Sequence, residues 1–422
     1  MRGVRPAGRD FSPLDEELEL LPGSLTPHSH ESLVRLGTWM PFEKAASMLT
    51  GLMGIVISRS KGRRCTQAAG QAYVELQTEE AERIEREAPE PRPGCEQMIM
   101  SADGAMIPLL HGEWGEVKTL ALGEVVVKEL RKASDGEVQV KNISYFSRLV
   151  DARRFEHLSL SEVHRRGVDQ CKQVAAVMDG AEWLQSLTDY HCPMAIRILD
   201  FPHAGQRLGE IAQSMWGESS PKTKQWTEKR LHTLKHQGPQ GILAQLDLLT
   251  QRYPQNETLT QNRSYLEKRE AQMQYPLYQK QNWPIGSGMV ESANKLVVEA
   301  RLKGAGMHWK RENVDPMLAL RNIVCSDRWD QEWPQIAHRL RQQTAQRKKS
   351  RRRQQSQEIQ PLSTPPLTTS SLSDIKPKAP PKPVEKSPPQ NSSKSRKPAA
   401  NHPWRRSPIG RARYQPSASS KK

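Results

Sequence analysis

Residues 173–180 read QVAAVMDG, an unbroken apolar run that stops at Asp179-Gly180. A run of this length without polar alternation suits a strand buried on both faces. A second such run, Ala195–Leu199, stops at Asp200. Working back, Ser159-Leu160-Ser161-Glu162 carries residues suited to opening a helix. Before it lie three strand-like runs. Gln97–Ala102 ends at Asp103-Gly104, with Ala105–Leu110 continuing or pairing beyond, and Glu116–Leu130 and Glu137–Val150 follow around the turn ASDG at 133–136. Short connections make these three an antiparallel meander. Working forward, residues 205–281 carry helical patterns and no credible strand. NWPIGSGMVESANKLVVEARLKGAGMHW then feeds a helix from Met289 to Lys303, and Met317–Val324 and RWDQEWPQIAHRL close the folded part. The expected fold is α/β, a mixed-sheet core at 95–204 and 282–335 interrupted by an all-helical insertion at 205–281.

Ahead of the core, APEPRPG at 88–94 is a breaker. Upstream of it, residues 14–87 read as helical, with Trp39, Phe42, Ala45, Ala46, Leu49 and Leu52 at helical spacing and Gly54 ending the pattern. A second helix rich in Arg and small polar residues follows, which is the outline of a helix-turn-helix. Arg59, Lys61, Arg63 and Arg64 fall at its exposed start and are candidate DNA contacts. A plain helical hairpin has the same outline, so this stretch alone does not fix a DNA reader.

The 422 residues carry a formal net charge of +16, and its distribution matters more than its total. Residues 341–422 hold 20 Lys/Arg against 3 Asp/Glu and 13 of the 31 prolines, whereas residues 1–340 hold 43 basic and 44 acidic residues. A basic Pro/Ser-rich stretch buries too little apolar surface to offset chain entropy, so 341–422 is expected to be a disordered tail attracting DNA non-specifically. The five cysteines are scattered without a CxxC pair, which argues against a disulfide framework or structural zinc and fits a reducing compartment. MRGVRPAGRDFSPLDEE has no apolar stretch of signal-peptide type, and Ala45–Ser58 is too short to span a bilayer. The expectation is a cytoplasmic, nucleoid-associated protein.

Asp103 and Asp179 each follow an apolar strand, and Glu291 sits in the first turn of a helix after GSG. Carboxylates at strand ends can converge at the rim of a sheet. Such a cluster suits hard, oxygen-loving cations, a pair of Mg2+ or Mn2+ ions about 3.5–4 Å apart that stabilise both the attacking and leaving oxygens of a phosphodiester displacement. Asp200 competes with Asp179 for the second position because it too ends a buried run. The order of elements, with the first Asp on the first strand, the second Asp on the strand after a helix and the third acid on a late helix, is the order an RNase H-like core requires.

The stretches SADGAMIPLLHGEWGEVKTLALGEV, YFSRLVDARRFE, VAAVMDGAEWLQ, RILDFPHA and WPIGSGMVESANKLVVEARLKGAGMHW resemble transposases of bacterial insertion sequences, the ISKra-type branch, which are similar in turn to Mutator-like transposases. The resemblance runs from about Leu33 to Trp333 and does not cover the tail. It implies an RNase H-like core with a helical insertion before the last acid, with Asp103, Asp179 and Glu291 as a metal-binding catalytic triad. In that family the second acid is normally followed, a strand later, by a Cys-x-x-His pair. Asp200-Phe-Pro-His203 occupies that place with Asp for Cys, which favours Asp179 as the triad member and makes Asp200 and His203 auxiliary. Arg301, Lys303 and Trp309 become candidate DNA contacts, Trp309 by stacking on an unpaired base. The implied activity is cleavage of double-stranded DNA at terminal repeats and joining to a target by a homodimer or larger assembly. The alternatives are a nuclease that does not join strands and an inactive transposase-derived DNA-binding protein.

Overall fold

The computed structural model describes residues 25–90, 92–128 and 137–358, and these fall in one compact unit. The expected turn at 133–136, the start of the helical region at 14–24 and the tail from 359 onward lie outside the described residues.

A single five-stranded sheet forms the centre: β1 (Gln97–Pro108), β2 (Trp114–Lys128), β3 (Glu137–Arg148), β4 (Gln173–Met178) and β5 (Ile196–Leu199), in spatial order 3-2-1-4-5. β1, β2 and β3 pair antiparallel as the expected meander, while β4 runs parallel to β1 and β5 parallel to β4. The double burial expected of QVAAVM is found. Val174, Ala176 and Met178 enter one apolar layer with Met98, Met100 and Phe155, while Ala175 and Val177 enter the opposite layer with Ile99 and Ile198. β2 slips register between Leu122 and Glu124, and the residue in the slip is Gly123. A Cβ there would lie 2.3 Å from Val140 Cγ1, so only glycine lets β3 close on β2 at this point.

Two helices, α4 (Ala152–Arg165) and α5 (Glu182–His191), cover one face of the sheet. The first begins seven residues before the expected Ser159. Asp151 caps it, its Oδ1 accepting from Arg154 N at 2.9 Å, and Ala152–Leu158 already present Phe155 and Leu158 to the core. The expected insertion is helical throughout, as α6 (Phe201–Trp216), α7 (Pro221–Gln237), α8 (Gln240–Arg252), α9 (Glu257–Glu267) and α10 (Tyr275–Lys280). Its apolar faces pack on the β4–β5 side of the opposite face.

The rest of that face is covered by α11 (Gly288–Ala293), a π-helical turn at 294–299, α12 (Ala300–Leu302) and α13 (Val314–Cys325). α1 (Pro27–Trp39), α2 (Phe42–Met53) and the long α3 (Arg59–Glu87) wrap around α13 together with α14 (Trp329–Glu358). α3 crosses α13 closely at Gly70, where a Cβ would meet the Pro316 carbonyl oxygen at 2.0 Å. α14 corrects the expected start of the disordered tail. Residues 341–358 continue its helix, because Leu340 and its neighbours are anchored on α3 (Gln343 Nε2 donates to Glu75 at 2.8 Å) and the Gln, Arg, Lys and Ala that follow are good helix formers. No helix among the described residues is long and apolar enough to cross a membrane.

Candidate active site

Strand register brings three aspartates to one level. Met100 is the last β1 residue paired with β4, opposite Ala176, and Met178 of β4 pairs with Leu199 of β5. Three residues on from the first pair stand Asp103 and Asp179, and one residue on from the second stand Asp179 and Asp200. Alternation along the strands turns all three to the face shared by Ile99, Val177 and Ile198. Of the two alternatives the sequence left for Ala105–Leu110, continuation of β1 beyond Asp103 is the one found. The strand continues to Pro108 against β2, with Asp103 opposite Thr119, and only its pairing with β4 ends. Asp103 thus lies where the two parallel neighbours part, which is where open α/β sheets expose functional groups.

Asp103 is half-buried and held at both oxygens, with Oδ1 accepting from Gly104 N at 2.7 Å and Oδ2 from Asn294 Nδ2 at 2.9 Å. Burial raises its pKa and the Asp179 charge adds to this, against the Gly104 N–H, the His203 charge and the Asn294 amide. Asn294 begins the π-helical turn, and its own Oδ1 is buried without a hydrogen bond among the described residues. π-turns of this kind are frequent at functional sites.

Asp179 accepts from Ala181 N at 2.8 Å through Oδ1, and Oδ2 has no hydrogen-bond partner among the described residues. The insertion clamps the loop around it. Tyr265 Oη donates to the Asp179 carbonyl, and Arg269, stacked 3.8 Å from the Tyr265 ring centroid, donates to the Gly180 carbonyl. Gly180 has φ of +82°, and a Cβ there would meet Arg269 Nε at 2.5 Å, so both conformation and space require glycine.

Asp200 is a different kind of residue, fully buried with both oxygens engaged. Oδ1 accepts from Ser287 N at 2.6 Å, and Oδ2 accepts from His203 N at 3.2 Å and Nδ1 at 2.5 Å. It caps α6 and ties down the loop leading to Glu291. Burial works to raise its pKa, but the hydrogen bonds from His203 and Ser287 outweigh it and the net shift is downward. His203 is shifted up, first by its bond to Asp200 and further by the charges of Asp179 and Asp103, against burial.

Replacing Asp200 with Ala is therefore expected to cost about 1–3 kcal/mol, since it removes the α6 cap and leaves the buried Ser287 N–H without its acceptor. The lowered Asp200 contributes stability above its unfolded pKa and loses it as pH falls. The raised His203 contributes below its unfolded pKa and loses it as pH rises. The melting difference from wild type should thus be widest between about pH 4 and 6.5. A pH-independent difference would show that the pair is not ionised.

Glu291 is exposed in the first turn of α11, one helical turn before Asn294. Among the described residues no three His, Cys, Asp or Glu side chains converge to hold a metal ion. The donor chemistry nevertheless fits a hard cation. Asp103 and Asp179 are both oxygen donors, the Asp179 charge helps raise the Asp103 pKa, and the orphaned amide oxygen of Asn294 belongs to the side chain that holds Asp103.

The candidate DNA contacts fall into two groups. Arg59, Arg63 and Arg64 are exposed in the first turns of α3, capped by Ser58, and Lys61 is half-buried. Lys303 is exposed and pairs with Glu299 at 2.8 Å. Arg301 and Trp309 depart from expectation because both are buried. Trp309 Nε1 donates to the Leu302 carbonyl at 3.0 Å and the Arg301 guanidinium lies 5.3 Å from its ring, so Trp309 is packed rather than presented to a base. Asn294, Ser287, Tyr265 and Arg269 were not singled out from sequence. Nothing in their spacing marks residues that act across 86 to 191 positions. No protein-family model matches the chain, and no curated protein matches it.

Proposed function

We propose that the chain is a metal-dependent DNA transposase built on an RNase H-like core, with Asp103, Asp179 and Glu291 as its acids and Asp200 and His203 as positioning residues. The observation that carries this reading is the placement of Asp103 and Asp179 at one level on adjacent parallel strands, in a sheet of order 3-2-1-4-5 whose first three strands are antiparallel. That order supports the reading of an RNase H-like core. Asp103 and Asp179 would hold Mg2+ or Mn2+, which when bound supplies Lewis-acid stabilisation of the attacking and leaving oxygens.

The chain's own residues do the positioning. Asn294 and the Gly104 N–H fix the Asp103 carboxylate, while Tyr265 and Arg269 fix the loop that carries Asp179. Asp200 holds the loop ahead of Glu291 through Ser287, and in this reading Glu291 on α11 supplies the third acid. In the first reaction a water oxygen bonds to phosphorus and the bond to the 3′ oxygen breaks, leaving a 3′-hydroxyl and a 5′-phosphate. In the second, that hydroxyl attacks a target phosphodiester and the target's own 3′ oxygen leaves.

The test is incubation of the purified protein, with Mg2+, on duplex bearing the inverted repeats that flank its gene. Cut ends and a joined product are expected. Cutting without joining would reduce the reading to a nuclease, and binding without cutting would leave a DNA-binding protein.

A further inference from the structure

Two groups of basic residues far apart in sequence line one pocket. A pocket of about 420 Å3 lies between the start of α3 and the loop after α12, lined by Arg59 and Arg63 on one side and Arg301, His308 and Lys310 on the other. Arg59, Arg63 and Gln67 recur at four-residue spacing, so one face of α3 points into it. Glu43 is the single carboxylate in the lining, against four Arg and Lys.

At its base the Arg301 guanidinium is 2% exposed. Phe42 and Trp309 lie 4.8 and 5.3 Å from it, and Nε and Nη2 both donate to the Gly37 carbonyl at 3.2 and 3.1 Å. It makes no ion pair among the described residues. Burial, with the Arg321 charge nearby, pulls its pKa down to about 10. A buried cation without an anion is costly, and an anion entering the pocket would relieve that cost.

The pocket is also tied to the carboxylates. Its floor is hydrogen-bonded to the end of β1, Trp309 N donating to the Pro108 carbonyl at 3.1 Å and Leu110 N to the Trp309 carbonyl at 2.9 Å. β1 carries Asp103, six residues before Leu109. At about 3.4 Å per residue that is roughly 20 Å, the length of about six base steps of a DNA strand.

We propose that this pocket binds a backbone phosphate of duplex DNA, held between Arg59 and Arg63 of α3 and Lys310 of the facing loop, about six base steps from the phosphodiester at Asp103 and Asp179. The inference rests on the reading of the chain as a DNA-cutting enzyme and names the contact that sets where the duplex lies. Arg301 acts from beneath, fixing the pocket's floor and its positive potential.

The experiment uses the full chain in chelator, with fluorescence anisotropy on a short duplex of random sequence. Arg59→Ala, Arg63→Ala and Lys310→Ala should each weaken binding about tenfold at moderate salt, and the Arg59→Ala/Arg63→Ala double variant should lower the slope of log affinity against log salt by about one, the share of a single phosphate. All three residues are exposed, so melting temperatures should stay at the wild-type value, and Lys310→Ala provides a variant on a separate element. A single neutral methylphosphonate moved along a cleaved duplex should weaken wild-type binding most about six steps from the cut and leave the Arg59→Ala/Arg63→Ala double variant unaffected. Wild-type affinity and slope in the double variant would overturn the inference while leaving the catalytic reading intact. Displacement of the duplex by low-millimolar inorganic phosphate, with the same sensitivity to Arg63→Ala, would assign the pocket to a small free anion and also overturn it. Binding lost in the variants of a protein that never cuts DNA would sink the catalytic reading alone, and absence of DNA binding by the wild type would sink both.

Discussion

Replacing Asp103 or Asp179 with asparagine is expected to lower metal-dependent DNA cleavage about a thousandfold or more, with DNA affinity in chelator unchanged. The two changes should also be neutral or mildly stabilising. Asp103 is raised in pKa by burial and by the Asp179 charge, so removing either charge relieves repulsion in the folded protein. Asn at position 103 can still accept from the Gly104 N–H through its amide oxygen. Glu291→Gln should likewise leave melting untouched, because Glu291 is exposed, and should lose cleavage with the other two. Asp200 behaves in the opposite way, since its buried oxygens hold Ser287 and His203 and its loss lowers stability before it touches chemistry. Cleavage assays paired with thermal melts separate the two classes. Normal cutting by Asp179→Asn together with a well-folded, inactive Asp200→Asn would transfer the second catalytic position to Asp200.

Truncation after Glu358 is expected to flatten the salt dependence of non-specific DNA binding more than any point substitution. Residues 359–422 hold 13 Lys/Arg against 2 Asp/Glu, whereas the retained residues 1–358 hold 50 against 45. Each phosphate neutralised contributes a slope of about −0.9 in log affinity against log salt, so even six tail contacts amount to about a thousandfold between 50 and 200 mM salt. Cutting at that point keeps the whole of α14, including the contact of Gln343 with Glu75 on α3. Cleavage of ends already bound should survive, because the carboxylates and the pocket both lie upstream. Salt titrations of the two proteins on random duplex measure the difference. Superimposable slopes would show that the folded part alone captures DNA.

The double burial of β4, the meander ahead of it and the helical insertion could be read from residues 95–281 because each depends on a local repeat. An unbroken apolar run demands cover on both sides, and a periodic run demands cover on one. The carboxylates could be nominated by the same logic, as polar residues that end such runs. Their roles could not be assigned that way. Asp179 and Asp200 have nearly identical local sequence settings. What separates them is Ser287, 87 residues beyond Asp200, and Tyr265, 86 residues beyond Asp179. Asp103 acquires its Asn294 partner across 191 residues, and Arg301 is buried beneath a carbonyl 264 residues upstream. Even the start of α4 and the length of α14 turned on packing partners elsewhere in the chain. Periodicity reports which face of an element must leave water. Which oxygen remains free to meet a ligand depends on which donors packing brings to it, and only the tertiary structure sets that.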